Sequence, residues 1–354
     1  LLAWPGAPLA IASAALFGAS TPLAKALLGG GVSPWLLAGL LYLGSGLGLA
    51  ALHLGRRMIG RASNEAPLAR GDLGWMALAV LSGGVAGPVL LMLGLSTTSA
   101  ASGALLLNLE GLATMVIAWL AFRENVDRRL LLGAAAILAG ALLLSWQGGG
   151  RWGGFGSGSV LIAGACLAWG IDNNLTRKIS SSDPVQIAMV KGLAAGAVNL
   201  ALAMAAGARL PAAPLLAGAA AVGFLGYGVS LVLFVLALRF LGTARTGAYF
   251  STAPFVGAVL ATLMFAEPVG WRLIAAAGLM GIGLYLHLVE RHEHEHVHRP
   301  LEHEHPHVHD AHHRHAHAGD APPGEPHTHR HRHERLTHGH AHYPDLHHRH
   351  DHAR

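Results

Sequence analysis

Along its first 290 residues the chain is a succession of long apolar runs. Each is close to the roughly 20 residues that a helix needs to cross a bilayer core. They fall near 9–28, 34–54, 73–93, 98–122, 130–146, 158–177, 184–206, 214–240, 243–266 and 271–290. All are rich in Ala, Leu and Gly, and none has the period-2 alternation of a membrane strand. The pattern therefore predicts an all-α membrane protein with ten transmembrane helices. Short connections make successive helices antiparallel neighbours. Past residue 290 the apolar runs stop and histidine recurs at every second position.

Composition supports this division. The chain has 354 residues, 53% hydrophobic and 12% charged, against about 25% charged in ordinary soluble domains. Of its 25 histidines, 23 lie from His292 onward. The charge-poor body cannot cover itself as a water-soluble globule, and the His-rich remainder reads as a polar appendage. The basic pI of 9.8 does not indicate a nucleic-acid partner, because the basic residues form no binding face. They sit in the connections instead. Arg56, Arg57, Arg61, Arg70, Arg123, Arg128, Arg129, Arg177, Lys178, Arg239 and Arg245 fall on one side, against Arg151, Arg209 and Arg272 on the other. Positive charge stays inside, so both termini and the tail are expected in the cytoplasm. Cys166, the single cysteine, excludes an internal disulfide and a Cys-based zinc site. The chain begins Leu-Leu rather than Met. With no basic segment ahead of the first apolar run, that run reads as an uncleaved span.

The two halves of the body resemble each other. Ala118-Trp-Leu-Ala-Phe-Arg-Glu-Asn-Val126 ends the fourth run and Ala261-Thr-Leu-Met-Phe-Ala-Glu-Pro-Val269 ends the ninth, aligning Phe122 with Phe265, Glu124 with Glu267 and Val126 with Val269. Gly103-Ala104 corresponds to Gly247-Ala248, Phe17-Gly18 to Trp169-Gly170, and Lys25 to Arg177. Five helices is an odd number, so the second copy must be inverted relative to the first, which is a transporter architecture. The expected units are 1–146 and 147–290 as five-helix repeats, and 291–354 as a disordered His-rich cytoplasmic tail. In these paired motifs the body, about residues 8–290, resembles the EamA-type transporters of the drug/metabolite transporter superfamily. That resemblance implies secondary transport of small metabolites, often export, across the bacterial inner membrane. Gly111 stands after Glu110 where relatives often have Pro, while Pro254 is kept at the matching place in the second half.

An ionisable side chain at mid-bilayer costs several kcal/mol and asks for a partner or a wet cavity. Glu110, about twelve residues from either end of its run and beside Asn108, is the leading candidate to hold a cationic group or a coupling proton. Asp172 and Lys191 lie at similar depth on adjacent antiparallel helices. They are expected either to pin those helices together as an ion pair or to flank an inner cavity mouth with Asn173, Asn174 and Asn199. Lys25 is expected to snorkel to the interface, with His53 and His287 interfacial. Pro22, Pro88 and Pro254 are expected to interrupt helices. Gly83/Gly87 and Gly192/Gly196, four apart, suit close helix packing.

In the tail, His292, His294, His296, His298, His303, His305, His307, His309, His327, His329, His331 and His333 form H-x-H sets. Alternate residues of an extended chain share a face, and neutral imidazole suits Zn²⁺, Ni²⁺, Co²⁺ and Cu²⁺. Three H-E-x-x-H matches there are products of low complexity with no pocket around them. Protonation is a rival role: below about pH 5 the tail swings from about −2 toward about +21. No cluster of His or Cys continues into the membrane body. The sequence thus points to a non-enzymatic transporter of a small-molecule solute, embedded in a lipid bilayer and requiring no cofactor. A transition-metal transporter or metal-regulated permease using the tail is the alternative. A membrane hydrolase has neither a G-x-S-x-G elbow nor a His pair within a span to support it.

Overall fold

A computed structural model describes residues 6–59, 67–122, 128–146, 155–179, 182–234, 236–237, 246, 249–288, 293–298, 301–307, 327–333 and 336–341. The body is helical: α1 Gly6–Gly29, α2 Pro34–Met58, α3 Arg70–Thr97, α4 Ala100–Phe122, α5 Arg128–Ser145, α6 Ser157–Ile179, α7 Pro184–Ala205, α8 Ala213–Phe234, α9 Ala253–Phe265 and α10 Trp271–Leu288. Seven of these, α1–α5, α7 and α8, are long and apolar enough to cross a membrane; α9 and α10 are shorter apolar helices. α6 is long enough but carries Asp172, Asn173, Asn174, Arg177 and Lys178 in its second half.

Local signals start these helices where they do. Ser33 caps α2, its Oγ accepting from the Leu36 N–H at 3.4 Å, with Pro34 next. Asp183 does the same for α7, accepting from Val185 N–H at 2.8 Å, with Pro184 next. A cap side chain satisfies one of the four unpaired N–H groups, and Pro in the first turn has no N–H to lose. Pro254 also falls in the first turn of α9, so it opens that helix rather than interrupting it. Pro22 does lie inside α1.

Two helices contain a wider turn. α3 is π-helical over Val80–Ala86 and α8 over Gly223–Val229. α4 is broken at Leu107–Asn108, between Ala100–Leu106 and Leu109–Phe122, where the sequence predicts one continuous helix. A π-turn or a break leaves backbone carbonyls without their helical partners, and in a bilayer these must find donors within the protein.

The helices pack in matching sets. α2 lies along α7, and α5 along α10; α1 contacts α8 and α9, while α6 contacts α3 and α4. α2 also contacts α8, as α7 contacts α3, and α4 meets α9. Glycine permits the closest crossing. A Cβ on Gly192 would stand 2.8 Å from the Gly46 backbone, and one on Gly196 would meet Leu43 N at 2.5 Å. Gly18 abuts the Ala253 carbonyl of α9, and Gly170 abuts Ala113 and Thr114 of α4.

In the tail the described backbone forms two antiparallel pairs, β1 Glu293–His298 with β4 Leu336–Ala341 and β2 Leu301–His307 with β3 His327–His333. A histidine at every second residue is also the period of a strand. The tail side chains lie outside what the structure describes, so the twelve candidate histidine ligands stay as sequence expectations; His292 and His309 lie outside altogether.

Candidate functional site

The polar side chains of the membrane body gather where α3, α4, α6 and α7 meet. Glu110 follows the α4 break, its N–H bonding to Leu107 O at 3.0 Å. Its carboxylate accepts from Asn173 Nδ2 at 3.0 Å, and the same amide reaches Thr114 Oγ1 at 3.1 Å. Thr114 donates in turn to the Glu110 carbonyl at 2.9 Å. Asn173 is exposed and Glu110 partly so. Among the described residues no basic side chain forms an ion pair with Glu110.

Both carboxylate oxygens of Asp172, the residue before Asn173, stand 2.6 Å from Lys191 Nζ. The pair is mostly buried, with 18% of the Lys191 side chain and 6% of the Asp172 side chain exposed. Thr176 donates to Asp172 at 3.0 Å. The expected contact between α6 and α7 is therefore present. The Asp172 carboxylate also fills the space that a side chain at Gly83 would need. This is why the α3 π-turn carries glycine at that point. Asp172 and Lys191 both lie within electrostatic reach of Glu110.

The remaining candidates are committed to backbone. Asn199 is fully buried, its Nδ2 donating to Gly84 O at 2.8 Å. It serves a carbonyl of the π-turn, and its Oδ1 has no hydrogen-bond partner among the described residues. Asn174 Nδ2 donates to Gly170 O at 2.8 Å and Thr114 O at 3.1 Å, tying α6 to α4. Asn108 sits in the α4 break, bonded to Leu105 O at 2.9 Å and the Met280 sulfur at 3.8 Å, and makes no bond to Glu110. Lys25, half-buried near the end of α1, bonds with its ammonium the carbonyls of Leu95, Ser96 and Thr98 at the end of α3.

Several participants escape sequence reasoning. Tyr42 and Trp169 each donate to Gly83 O at 2.8 Å, so three side chains from three helices serve the α3 π-turn. Tyr227, in the α8 π-turn, stacks near Tyr42 with ring centres 5.6 Å apart, and near Phe17 at 5.8 Å. The hydroxyls of both tyrosines lie within electrostatic reach of Glu110. Thr114 was within reach of the sequence, since it lies one turn after Glu110. The tyrosines were not, because their partners come from other helices. An apolar hollow of about 320 Å³ between the start of α2 and the end of α7, lined by Ser33, Trp35, Leu93 and Ala203, shares no residue with this cluster. Among the described residues no group of three or more His, Cys, Asp or Glu is placed to hold a metal ion.

Known proteins match the chain in sequence and in fold. The EamA-like transporter family profile matches residues 4–146 and again 156–289. An uncharacterized transporter of Methanothermobacter thermautotrophicus is 29% identical over 219 residues, covering 59% of this chain and 62% of that protein. The chain thus spans somewhat under two thirds of that relative. One solved crystal structure, described simply as that of a protein, superposes with a TM-score of 0.57 at 20% identity over 80% of this chain and 97% of its own, a likeness of fold. With the family profile matching nearly the whole body, the chain belongs to the EamA-like transporter family, within the drug/metabolite transporter superfamily, and is a multi-pass membrane protein.

Proposed function

We propose that this chain is a secondary transporter of a small organic solute, working by alternating access between two inverted five-helix repeats in the bacterial inner membrane, with both termini cytoplasmic. Export is the direction that the family resemblance favours. The observation that carries the reading is the Glu110–Asn173–Thr114 group, a carboxylate at membrane depth that lacks a basic partner among the described residues. A charge at the centre of a span costs about 2.5–3.5 kcal/mol on insertion scales. With no ion pair of its own among the described residues, it suits a cationic group of the solute or a coupling proton. Asp172 and Lys191 neutralise each other beside it and set the spacing of α6 and α7.

Three features support the repeat. The family profile matches twice in tandem. The cap-proline pairs Ser33-Pro34 and Asp183-Pro184 open the second helix of each half, and the π-turns fall in the third. Each contact of α1 with α8 or α9 has a counterpart of α6 with α3 or α4. Ten spans require α6, α9 and α10 to cross as well. In α6, the residues that lower its hydropathy are those of the site. The tail is an accessory that binds divalent transition-metal ions outside the solute path.

The test is purified protein in proteoliposomes with a pH-sensitive dye inside, challenged with a panel of amino acids and amines under an imposed proton gradient. Solute-dependent proton movement is expected in the unmodified chain and absent in Glu110→Gln. Undiminished coupled flux in that variant removes Glu110 from the mechanism.

A further inference from the structure

Where α3 turns into α4, two charges from outside that hairpin grip the turn. Lys25, near the end of α1, donates to the carbonyls of Leu95, of Ser96 at 3.5 Å and of Thr98 at 2.9 Å. These are the last carbonyls of α3 and its C-terminal connection, unpaired within the helix and at the negative end of its dipole. Glu267, between α9 and α10, accepts the Ala100 N–H on one oxygen at 2.7 Å and the Ala101 N–H on the other at 3.0 Å. It therefore caps the start of α4, the positive end. The two charges are within electrostatic reach of each other. Glu267 is aimed at a backbone cost, because Ala266 before it is left-handed at φ 48°, ψ 38°, a conformation that a residue with a Cβ resists. Beneath the grip Ala101 and Ala104 are each 1% exposed. Gly158 of α6 abuts Thr98 at this end. About 22 Å further along α6, at 1.5 Å per residue, Asn173 is exposed.

We infer that Lys25 and Glu267 are positioning residues of a gate: clasped on the α3–α4 turn, they hold that end of the solute path shut, and they release it in the alternate state. In the proposed topology this is the outer end. The inference rests on the alternating-access reading and adds the residues that latch one of its two states. Glu267 belongs to the second half and grips the first, so releasing it frees α4, which carries Glu110, from the α9–α10 connection.

The experiment uses the full chain in lipid nanodiscs, with Glu267→Gln and Lys25→Met. Amide hydrogen exchange is followed over 96–104, and a soluble maleimide reports the thiol placed by Asn173→Cys in a Cys166→Ala background. A gate moves the two readouts in opposite directions. Removing either charge is expected to speed exchange about tenfold, as loss of a charge-assisted hydrogen bond implies. It is expected to slow the maleimide reaction severalfold as the far end closes, and Lys25→Arg restores both. Faster exchange with an unchanged maleimide rate would mean a static helix cap and overturn the gate, as would unchanged exchange. Should a charge variant fail to fold, Ala266→Gly keeps both charges and relieves the left-handed strain of the clasped state. It is expected to shift both readouts the opposite way, slower exchange over 96–104 and a faster maleimide reaction, and no shift in either overturns the gate. The Glu110→Gln flux measurement involves neither clasp residue, so either reading can fail while the other stands.

Discussion

Asp172→Asn isolates the ion pair that ties α6 to α7. The side chain keeps its shape and one acceptor oxygen, so the change is almost wholly one of charge. At an effective dielectric of about 20, unit charges 4 Å apart attract by about 4 kcal/mol. Lys191 is 18% exposed against 6% for Asp172, so the orphaned ammonium recovers some hydration that an orphaned carboxylate could not. The expected cost of Asp172→Asn is therefore about 3 kcal/mol, the low end for breaking a buried pair. Lys191→Met should cost more, about 4 kcal/mol, since it strands the deeper partner. The double variant Asp172→Asn/Lys191→Met removes both charges and should cost about 4–5 kcal/mol rather than the sum of about 7 kcal/mol, a coupling energy of about 2–3 kcal/mol. The measurement is equilibrium unfolding in mixed micelles followed by tryptophan fluorescence for the four proteins of the cycle. Single variants that each cost under about 1 kcal/mol and simply add in the double would refute the pairing and the dielectric assigned to it.

Three further expectations follow from the packing and the tail. Gly46→Ala places a methyl 2.5 Å from Leu193 N and 2.7 Å from the Gly192 backbone, so α2 and α7 must part; a loss of about 1–3 kcal/mol is expected in the same unfolding assay. Gly55→Ala, with nothing within 4 Å of the added carbon, should be neutral or stabilising by up to about 1 kcal/mol, and equal losses at both sites would contradict the crossing. Ala266→Gly relieves a left-handed residue and should stabilise by about 0.5–1 kcal/mol after the entropy that glycine adds to the unfolded chain; a loss of stability would refute the strain. Deleting residues 292–354 should leave body unfolding unchanged and abolish most Zn²⁺ binding by calorimetry. In the full chain that binding should weaken as pH falls through about 6.5, because only neutral imidazole ligates. Equal zinc stoichiometry with and without the tail would count against it.

Much of the body was legible in the sequence because bilayer thickness and hydropathy constrain helices strongly. The contact between Asp172 and Lys191 was also reachable, since depth along two antiparallel neighbours follows from counting residues. The rest depended on partners from elsewhere in the chain. Asn199 looks like a ligand in one dimension, yet its amide is spent on Gly84 O. The demand arises at the π-turn of α3, where Pro88 has no N–H to offer the Gly83 and Gly84 carbonyls; the proline is visible in the sequence, but the side chains that answer it are not. Lys25, a cation near a helix end, suggests water; the structure also offers it the carbonyl end of α3. Glu267 was visible only as a repeat of Glu124, with no hint that it caps α4.

On the proposed repeat, the two halves share a frame and divide the chemistry. Aligning Gly18 with Gly170 places Ser20 opposite Asp172 and Thr21 opposite Asn173, and aligning Pro254 with Gly111 places Ala253 opposite Glu110. The close-packed glycines, the π-turns and the capped second helices occur in both halves, whereas the membrane-depth carboxylates sit on one of the two related helix pairs, α4 with α6, and not on its counterpart, α9 with α1. Ser20 shows the consequence. Its hydroxyl turns back to Phe17 O at 2.6 Å and it touches Gly226 of the α8 π-turn, the place that Asp172 takes against Gly83. A repeated frame allows two states of similar energy related by exchange of the halves. Carboxylates confined to one of the two related pairs put the proposed solute site off the pseudo-axis, between α4 of the first half and α6 of the second, beside the α3 π-turn held by Tyr42 and Trp169, while the matching place at the α8 π-turn is filled by the rings of Tyr227 and Phe17.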